Sequence, residues 1–309
     1  MNNENKKEHN DDLYLKELLF LLWDSKIVIL SSVLLLTTLS IIFSLLITDT
    51  YKSETILASA DDDNSLSKLS SQYSGLASIA GISLPTSESN DVEKGIEIMK
   101  SYNFFENFVS KNNLLYNLLA PNNWDSKNNE LIINPNIYDV TNKKWVSKER
   151  FSVDGVPSMQ SAHKKFKKNI SISTNKQNGF ISISFEHYSP YVAKNILDLL
   201  VHDINEILRN EQINQSEMSI KFLKDEIQKT EFAEVRVGLN RLIQSQTEKI
   251  MIANATPEFL FKVLSPPIVT ELKHKPKRST IVIISFLFSI FLSSFIIIIR
   301  NYFFNKSFS

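Results

Sequence analysis

Apolar positions are concentrated at the two ends of the chain. Ile27 to Ile47 (IVILSSVLLLTTLSIIFSLLI) and Ser279 to Ile299 (STIVIISFLFSIFLSSFIIII) are each 21 residues without a charge. A helix of that length is roughly 32 Å long at 1.5 Å per residue. The hydrocarbon core of a bilayer is about 30 Å thick. In lipid a single apolar run must satisfy its own backbone, so a helix is the expected form. A cleaved signal peptide fits the first run poorly. It is too long for such a core, 26 residues precede it, and the small-residue stretch Ala58–Ala60 lies eleven residues past Ile47. Two uncleaved transmembrane helices are therefore predicted, at 27–47 and 279–299. They place a tail at 1–26 and a tail at 300–309 on one side, and a domain at 48–278 on the other.

Between the spans the patterning changes character. Thr50–Ala60 alternates as a strand does. The Ser-, Asp- and Asn-rich stretch that follows reads as loop, with a small apolar centre, GLASIAGISLP, at 75–85. That centre is either a core-packing turn or a contact with a second subunit or the membrane. Asp91 to Leu119 is helical in period, carrying Ile96, Met99, Phe104, Phe105, Phe108, Leu114, Leu115 and Leu118. Residues 120–157 are Asn-rich with scattered prolines and read as loops with short elements. In NISISTNKQNGFISISFEH, Ile170 and Ile172 alternate with serines, and Phe180, Ile181, Ile183 and Phe185 do much the same, around a turn where Gly179 suits a left-handed position. This is a β-hairpin. A helix then starts with Ser189 as N-cap and Pro190 at its first position. Ala193, Leu197, Leu200, Ile204 and Ile207 form a narrow, coiled-coil-like seam. The helical pattern continues to Asn254, with stripes at Ile220, Leu223 and Ile227 and at Val235, Leu239 and Leu242. One straight helix over this stretch would reach roughly 100 Å; a break near Thr230 or Gly238 would fold it into a hairpin. So thin a stripe needs neighbours along its length, which argues for subunits side by side. PEFLFKVLSPPIV reads as a strand ended by Pro266 and Pro267. It leads into the second span, which places this sheet against the membrane. Before the first span, Leu15, Leu18, Leu19 and Leu22 make an interfacial amphipathic helix, with Trp23, and Tyr302 at the far end, at headgroup depth.

Composition removes several classes of function. Lys and Arg together number 34, as do Asp and Glu, so nothing suggests a nucleic-acid partner. There is no cysteine, hence no disulfide, iron–sulfur cluster or thiol nucleophile. Glycine-rich nucleotide loops are missing. His163, His187, His202 and His274 are scattered and show no i+3 or i+4 partner of metal-ligand type, so no metal, cofactor or catalytic residue is assigned. The basic stretch AHKKFKKNI (162–170) is a solvated helix face or, on the alternative reading, a phosphate contact. Charge leaves the orientation open, because Lys and Arg near the membrane are balanced between the tails and the domain.

The ordered set of DLYLKELLFLLW, a span, YKSETIL, GLASIAGISLP, ISISFEHYSPYVAKNILDLLVHDIN, SIKFLKDEIQKTEFAEVRVGLNRLIQSQTEKIMIAN, FLFKVLSPPIV, a proline-basic stretch and a second span resembles the bacterial polysaccharide co-polymerases of the Wzz chain-length determinant family. The resemblance covers almost the whole chain. It implies an α+β inner-membrane protein with cytoplasmic tails and a periplasmic domain made of a membrane-proximal α/β base, at about 48–187 and 257–270, and a helical trunk at about 189–254. It implies a homo-oligomeric ring that regulates the length of a lipid-linked polysaccharide, such as O antigen, with a Wzy-type polymerase. Pro266, Pro267 and Pro276 match the family's proline-rich approach to the second span. The family's second span is often glycine-rich; here Ser285, Ser289 and Ser293, at four-residue spacing, stand in a small-xxx-small pattern instead. An export adaptor for capsule or exopolysaccharide is the alternative function, and a two-span ligand receptor a more distant one.

Overall fold

The computed structural model describes residues 22–60 and 88–305. The amphipathic positions Leu15, Leu18 and Leu19, the GLASIAGISLP stretch and the side chain of Tyr302 lie outside the described residues. Two compact units are present: Thr50–Lys273, and the two chain ends up to Asp49 and from His274.

The first unit is a pair of apolar helices, α1 (Lys26–Leu46) and, last in the chain, α8 (Arg278–Asn305). Both are long and apolar enough to cross a membrane, the second over Arg278–Asn301. Leu30, Leu34, Leu39, Phe288 and Phe291 point outward and are largely exposed. Several hydroxyls of α1 turn back onto its own carbonyls: Ser31 donates to Val28, Thr37 to Val33 and Thr38 to Leu34. This is how a polar side chain is accommodated in a helix surrounded by hydrocarbon.

The second unit is built on a four-stranded antiparallel sheet in the order β6-β7-β1-β8. Its strands are β1 (Tyr51–Ser59), β6 (Ile170–Thr174), β7 (Ile181–His187) and β8 (Phe261–Ser265). β1 lies at the centre, pairing Tyr51 with His187 through Leu57 with Ile181 on one side and with β8 on the other. The predicted hairpin is β6–β7, and Gly179 has φ +71°. The helical stretch from Asp91 is divided into α2 (Glu88–Lys100), α3 (Tyr102–Lys111) and α4 (Leu115–Leu119). Ser101 ends one helix and caps the next, accepting from the Phe104 amide. Asn113, at φ 52°, turns the chain between α3 and α4. Residues 120–157 form two small antiparallel pairs, β2 (Pro121–Asp125) with β3 (Glu130–Ile133) and β4 (Tyr138–Asp139) with β5 (Lys144–Trp145). The basic helix α5 (Met159–Asn169) is capped by Ser158. It buries Ala162 and Phe166, and the Phe166 ring packs at a tilt between Phe105 and Phe185, with centroids 5.1 and 5.5 Å away. One core unites these parts, from Phe105 and Phe108 through Ile183 and Phe185 to Leu197, Ile204 and Phe261.

The long helical stretch is a hairpin. α6 (Pro190–Lys229) ends at Thr230, whose ψ of 125° is extended, and α7 (Ala233–Ala255) packs back along it. Arg236 Nε reaches across the turn to the Thr230 carbonyl, 2.8 Å away. Gly238 lies inside α7 and makes no break. The seam of α6 is wider than the coiled-coil spacing predicted. Ile196, Val201 and Leu208 join Ala193, Leu197, Leu200 and Ile204, while Ile207 is 37% exposed. A helix lying on a sheet covers a broader surface than one facing a single partner helix, and the broader apolar stripe follows from that. On α7 Ala253 is buried and the half-buried apolar positions are Leu239, Ile243, Ile250 and Ile252, whereas Val235 and Leu242 face outward.

Candidate functional site

In the unit formed by the chain ends, Ser285 is half-buried and Ser289 and Ser293 are buried along one line of α8. Ser285 Oγ accepts from Ser40 Oγ of α1 at 2.8 Å. Ser289 and Ser293 donate to the carbonyls of Phe286 and Ile290 in their own helix. Val33 and Ser44 are the buried residues on α1. Small side chains on such a line let two helices approach closely, and one hydrogen bond then links them. Beside this seam Arg278 Nη2 pairs with Asp49 Oδ1 at 2.8 Å, at the ends of the two helices.

Pro266 and Pro267 stand where β8 stops. Neither can donate to a ladder, so strand pairing ends at Ile56 with Ser265. Hydroxyls of β1 take over: Thr55 donates to the Ser265 carbonyl and Ser53 to the Ile268 carbonyl, at 2.9 and 2.8 Å. In the other direction Thr270 donates to the Lys52 carbonyl at 3.0 Å. Pro267 is buried and Pro266 exposed. Pro276 belongs to the other unit, in the segment before α8, and follows a cis peptide bond.

Three polar arrangements in the domain carry no clear sequence signature. Asn205, on α6 and 4% exposed, accepts from the amides of Leu260 and Phe261 and donates to the Phe261 carbonyl, all at 2.9 Å. One side-chain amide thus fixes the start of β8. His187 is buried at the end of β7. Its Nδ1 accepts from the Ser189 amide at 3.1 Å, so Nε2 carries the proton and donates to the Asn117 carbonyl at 2.8 Å. Burial holds its pKa down, to about 4. Lys111 sits between Asp203 and Glu206, at 2.9 and 2.6 Å, and Asn112 donates to the other oxygen of Asp203. The hydrogen bonds to Glu206 and Asp203 raise the Lys111 pKa, and Lys111 lowers that of Glu206.

That cluster corrects the expectation about histidines. His202 does have a ligand-type partner at i+4, Glu206, and its Nε2 is 3.9 Å from Oε2, with Asp203 close enough to complete a three-ligand set. The ammonium of Lys111 already stands where a cation would bind. The set is therefore an ion-pair network rather than a metal centre. The basic helix α5 also departs from a purely solvated face. Lys165 turns inward to the Leu119 carbonyl at 3.4 Å, and burial lowers its pKa, while Lys164, Lys167 and Lys168 remain exposed. A cleft of about 160 Å³ opens between α2, α6 and α7. The Lys94–Glu211 pair, at 2.9 Å, lies on its wall with Asp91, Gln212, Gln215 and Phe259.

Comparison with known proteins bears on the arrangement of apolar helix, strand and helices at the start of the chain. The family model "Chain length determinant protein", Wzz, matches residues 11–112. The resemblance to Wzz proteins is real. The match runs through α1, β1 and α2 to the end of α3. Wzz proteins are regulators of chain length, not catalysts. Among solved structures, a full-length bacterial polysaccharide co-polymerase aligns with 93% of this chain and 97% of its own, at 12% identity and TM-score 0.38. A fragment of WzzB, a polysaccharide co-polymerase from Salmonella Typhimurium, aligns with 74% of this chain and 100% of its own, at 11% identity and TM-score 0.36. Comparison with curated proteins returns no match.

Proposed function

We propose that this chain is an oligomeric inner-membrane regulator of polysaccharide chain length that works beside a Wzy-type polymerase on a lipid-linked polysaccharide such as O antigen. The Wzz match over residues 11–112 is the observation that carries the reading. The architecture supports it: two helices fit to cross a bilayer enclose a single domain in sequence, and that domain carries a long helical hairpin. In this reading both short tails are cytoplasmic and the Thr50–Lys273 domain is periplasmic.

The chemistry required is positional. A growing polymer is released or retained according to how many protomers present their surfaces to it and how those surfaces are spaced. Ser285, Ser289 and Ser293 hold the second span against the first. Pro266, Pro267 and Pro276 stiffen the path from the sheet into the second span. Deleting the gene and running the surface polysaccharide on a gel tests the function. Loss of the modal cluster, restored by the gene in trans, is expected; an unchanged modal cluster overturns the assignment. A reporter tag inserted at residue 150 tests the sidedness, which fails if the tag faces the cytosol.

A further inference from the structure

We propose that one rim of the domain, formed by Tyr51, Trp124, Tyr191, Ile268 and Leu272, is a lipid-binding surface that enters the headgroup layer of the membrane. The proposal rests on the reading that α1 and α8 cross a bilayer.

Covalent geometry supplies the first half of the case. The chain leaves α1 at Leu46 and enters the domain at Thr50; it leaves the domain at Lys273 and enters α8 at Arg278. Four or five residues span at most roughly 18 Å when fully extended. Both tethers are therefore short. Within the domain they arrive at the same end of the sheet, because Ser53 donates to the Ile268 carbonyl and Thr270 to the Lys52 carbonyl. The end of the sheet that holds Lys52, Ser53 and the 268–270 segment is therefore the end from which both tethers leave the domain.

The second half is what that end displays. Tyr51 packs edge-on against Trp124 with ring centroids 5.3 Å apart, and Trp124 lies 6.2 Å from Tyr191. Trp124 comes from the β2–β3 pair and Tyr191 from the start of α6, so three separate parts of the chain bring aromatic rings to one place. Tyr191 is 49% exposed. On the 268–272 segment, Ile268 is 62% and Leu272 85% exposed. Single exposed apolar residues are ordinary on a soluble surface. Here they share one end of the sheet with a Tyr–Trp–Tyr cluster, and that end is tethered twice to apolar helices. Tyr and Trp combine an apolar ring with a hydrogen-bonding tip and concentrate at the headgroup level of membranes. A bilayer interface suits both parts of this surface, since it accepts the aliphatic side chains and still hydrates the phenol tips, while the Trp124 indole N–H donates to Asn129 Oδ1 at 3.1 Å.

The experiment uses the full chain in nanodiscs containing lipids with a nitroxide on the headgroup. In the Trp23→Phe, Trp145→Phe variant, Trp124 is the sole tryptophan and its fluorescence is the readout. The absence of native cysteine allows a second readout, a fluorophore on Tyr191→Cys. The control is the same fluorophore on Phe232→Cys, at the turn between α6 and α7 and roughly 60 Å along α6 from Tyr191. A fluorophore on Leu35→Cys, quenched by a nitroxide on the acyl chain, reports whether α1 is in lipid at all. Loss of Trp124 and Tyr191-site fluorescence with the Phe232 site unchanged is the expected result. Quenching at Leu35 but no more at Trp124 and residue 191 than at residue 232 overturns the lipid rim alone and leaves that surface to a second copy of the chain. No quenching at Leu35 overturns the membrane reading and the rim with it.

Discussion

At the scale of single residues, backbone space and burial set the sharpest constraints. Gly155 has φ +79°, and a Cβ there would lie 2.2 Å from the Trp145 carbonyl oxygen. Gly155→Ala is expected to destabilise the domain by about 2–3 kcal/mol, combining the left-handed backbone with the clash, as read by chemical denaturation. His187 gives a pH signature. Its folded pKa of about 4 lies below the ordinary value of 6.5, because burial disfavours the charged ring. The unfolded chain thus binds the extra proton first. Stability contributed by the neutral ring is complete above pH 6.5 and is lost as pH falls from about 6.5 to about 4, by about 3 kcal/mol in all. His187→Gln, whose amide can donate to the Asn117 carbonyl, is expected to flatten the stability profile of the domain across that window. Thermal unfolding followed at several pH values checks this; an unchanged slope between pH 4 and 6.5 contradicts it.

At the scale of elements, periodicity was informative wherever one face met one core. The β6–β7 hairpin, the start of α6 at Pro190 and the strand ended by Pro266 were all legible, because alternation, a proline in the first helical turn and ladder-breaking prolines act locally, although the Ser189 side chain makes no cap hydrogen bond. The breadth of the α6 seam was not, since it depends on whether the partner is a helix or a sheet. The Asn205–Phe261, His187–Asn117 and Lys111–Asp203 contacts were also invisible, because these partners lie dozens of residues apart, although the i+4 spacing of His202 and Glu206 was open to reading. The serine line of α8 could be read from its spacing, but not which helix it would face. Lys111 offers a test of coupling between α3 and α6. Lys111→Met leaves the carboxylate of Asp203, 4% exposed, with Asn112 as its remaining side-chain partner. Lys111 itself is half exposed, so solvent screens the pair, and a loss of about 1–2 kcal/mol is expected. Adding Asp203→Asn removes the stranded charge. The double variant should therefore recover part of that loss, a coupling that a denaturation double-mutant cycle measures directly. Additive losses would show that the two side chains act independently.

At the scale of the whole molecule, the α6–α7 hairpin leaves much of its apolar surface uncovered in a single copy. Met218 is 72%, Phe222 65% and Phe232 72% exposed, although two of the three stand within a 40-residue helix. A lone chain gains nothing from keeping them apolar, because neither helix of the hairpin packs on them. In the proposed ring, neighbouring trunks would cover them. Met218→Glu with Phe222→Glu separates these two situations. Within one chain both changes place charge on an exposed helix face, where a substitution usually alters stability by no more than about 0.5 kcal/mol. Between packed chains they would bury unpaired carboxylates, which costs several times as much. The double variant is therefore expected to insert and unfold as the parent does, yet to have a lower assembly mass in nanodiscs and to spread the polysaccharide ladder beyond its modal cluster. A parent chain that is already a lone subunit by mass removes the ring from the proposal. A variant that keeps both the parent's mass and its modal cluster shows that the trunk is not the surface through which copies meet.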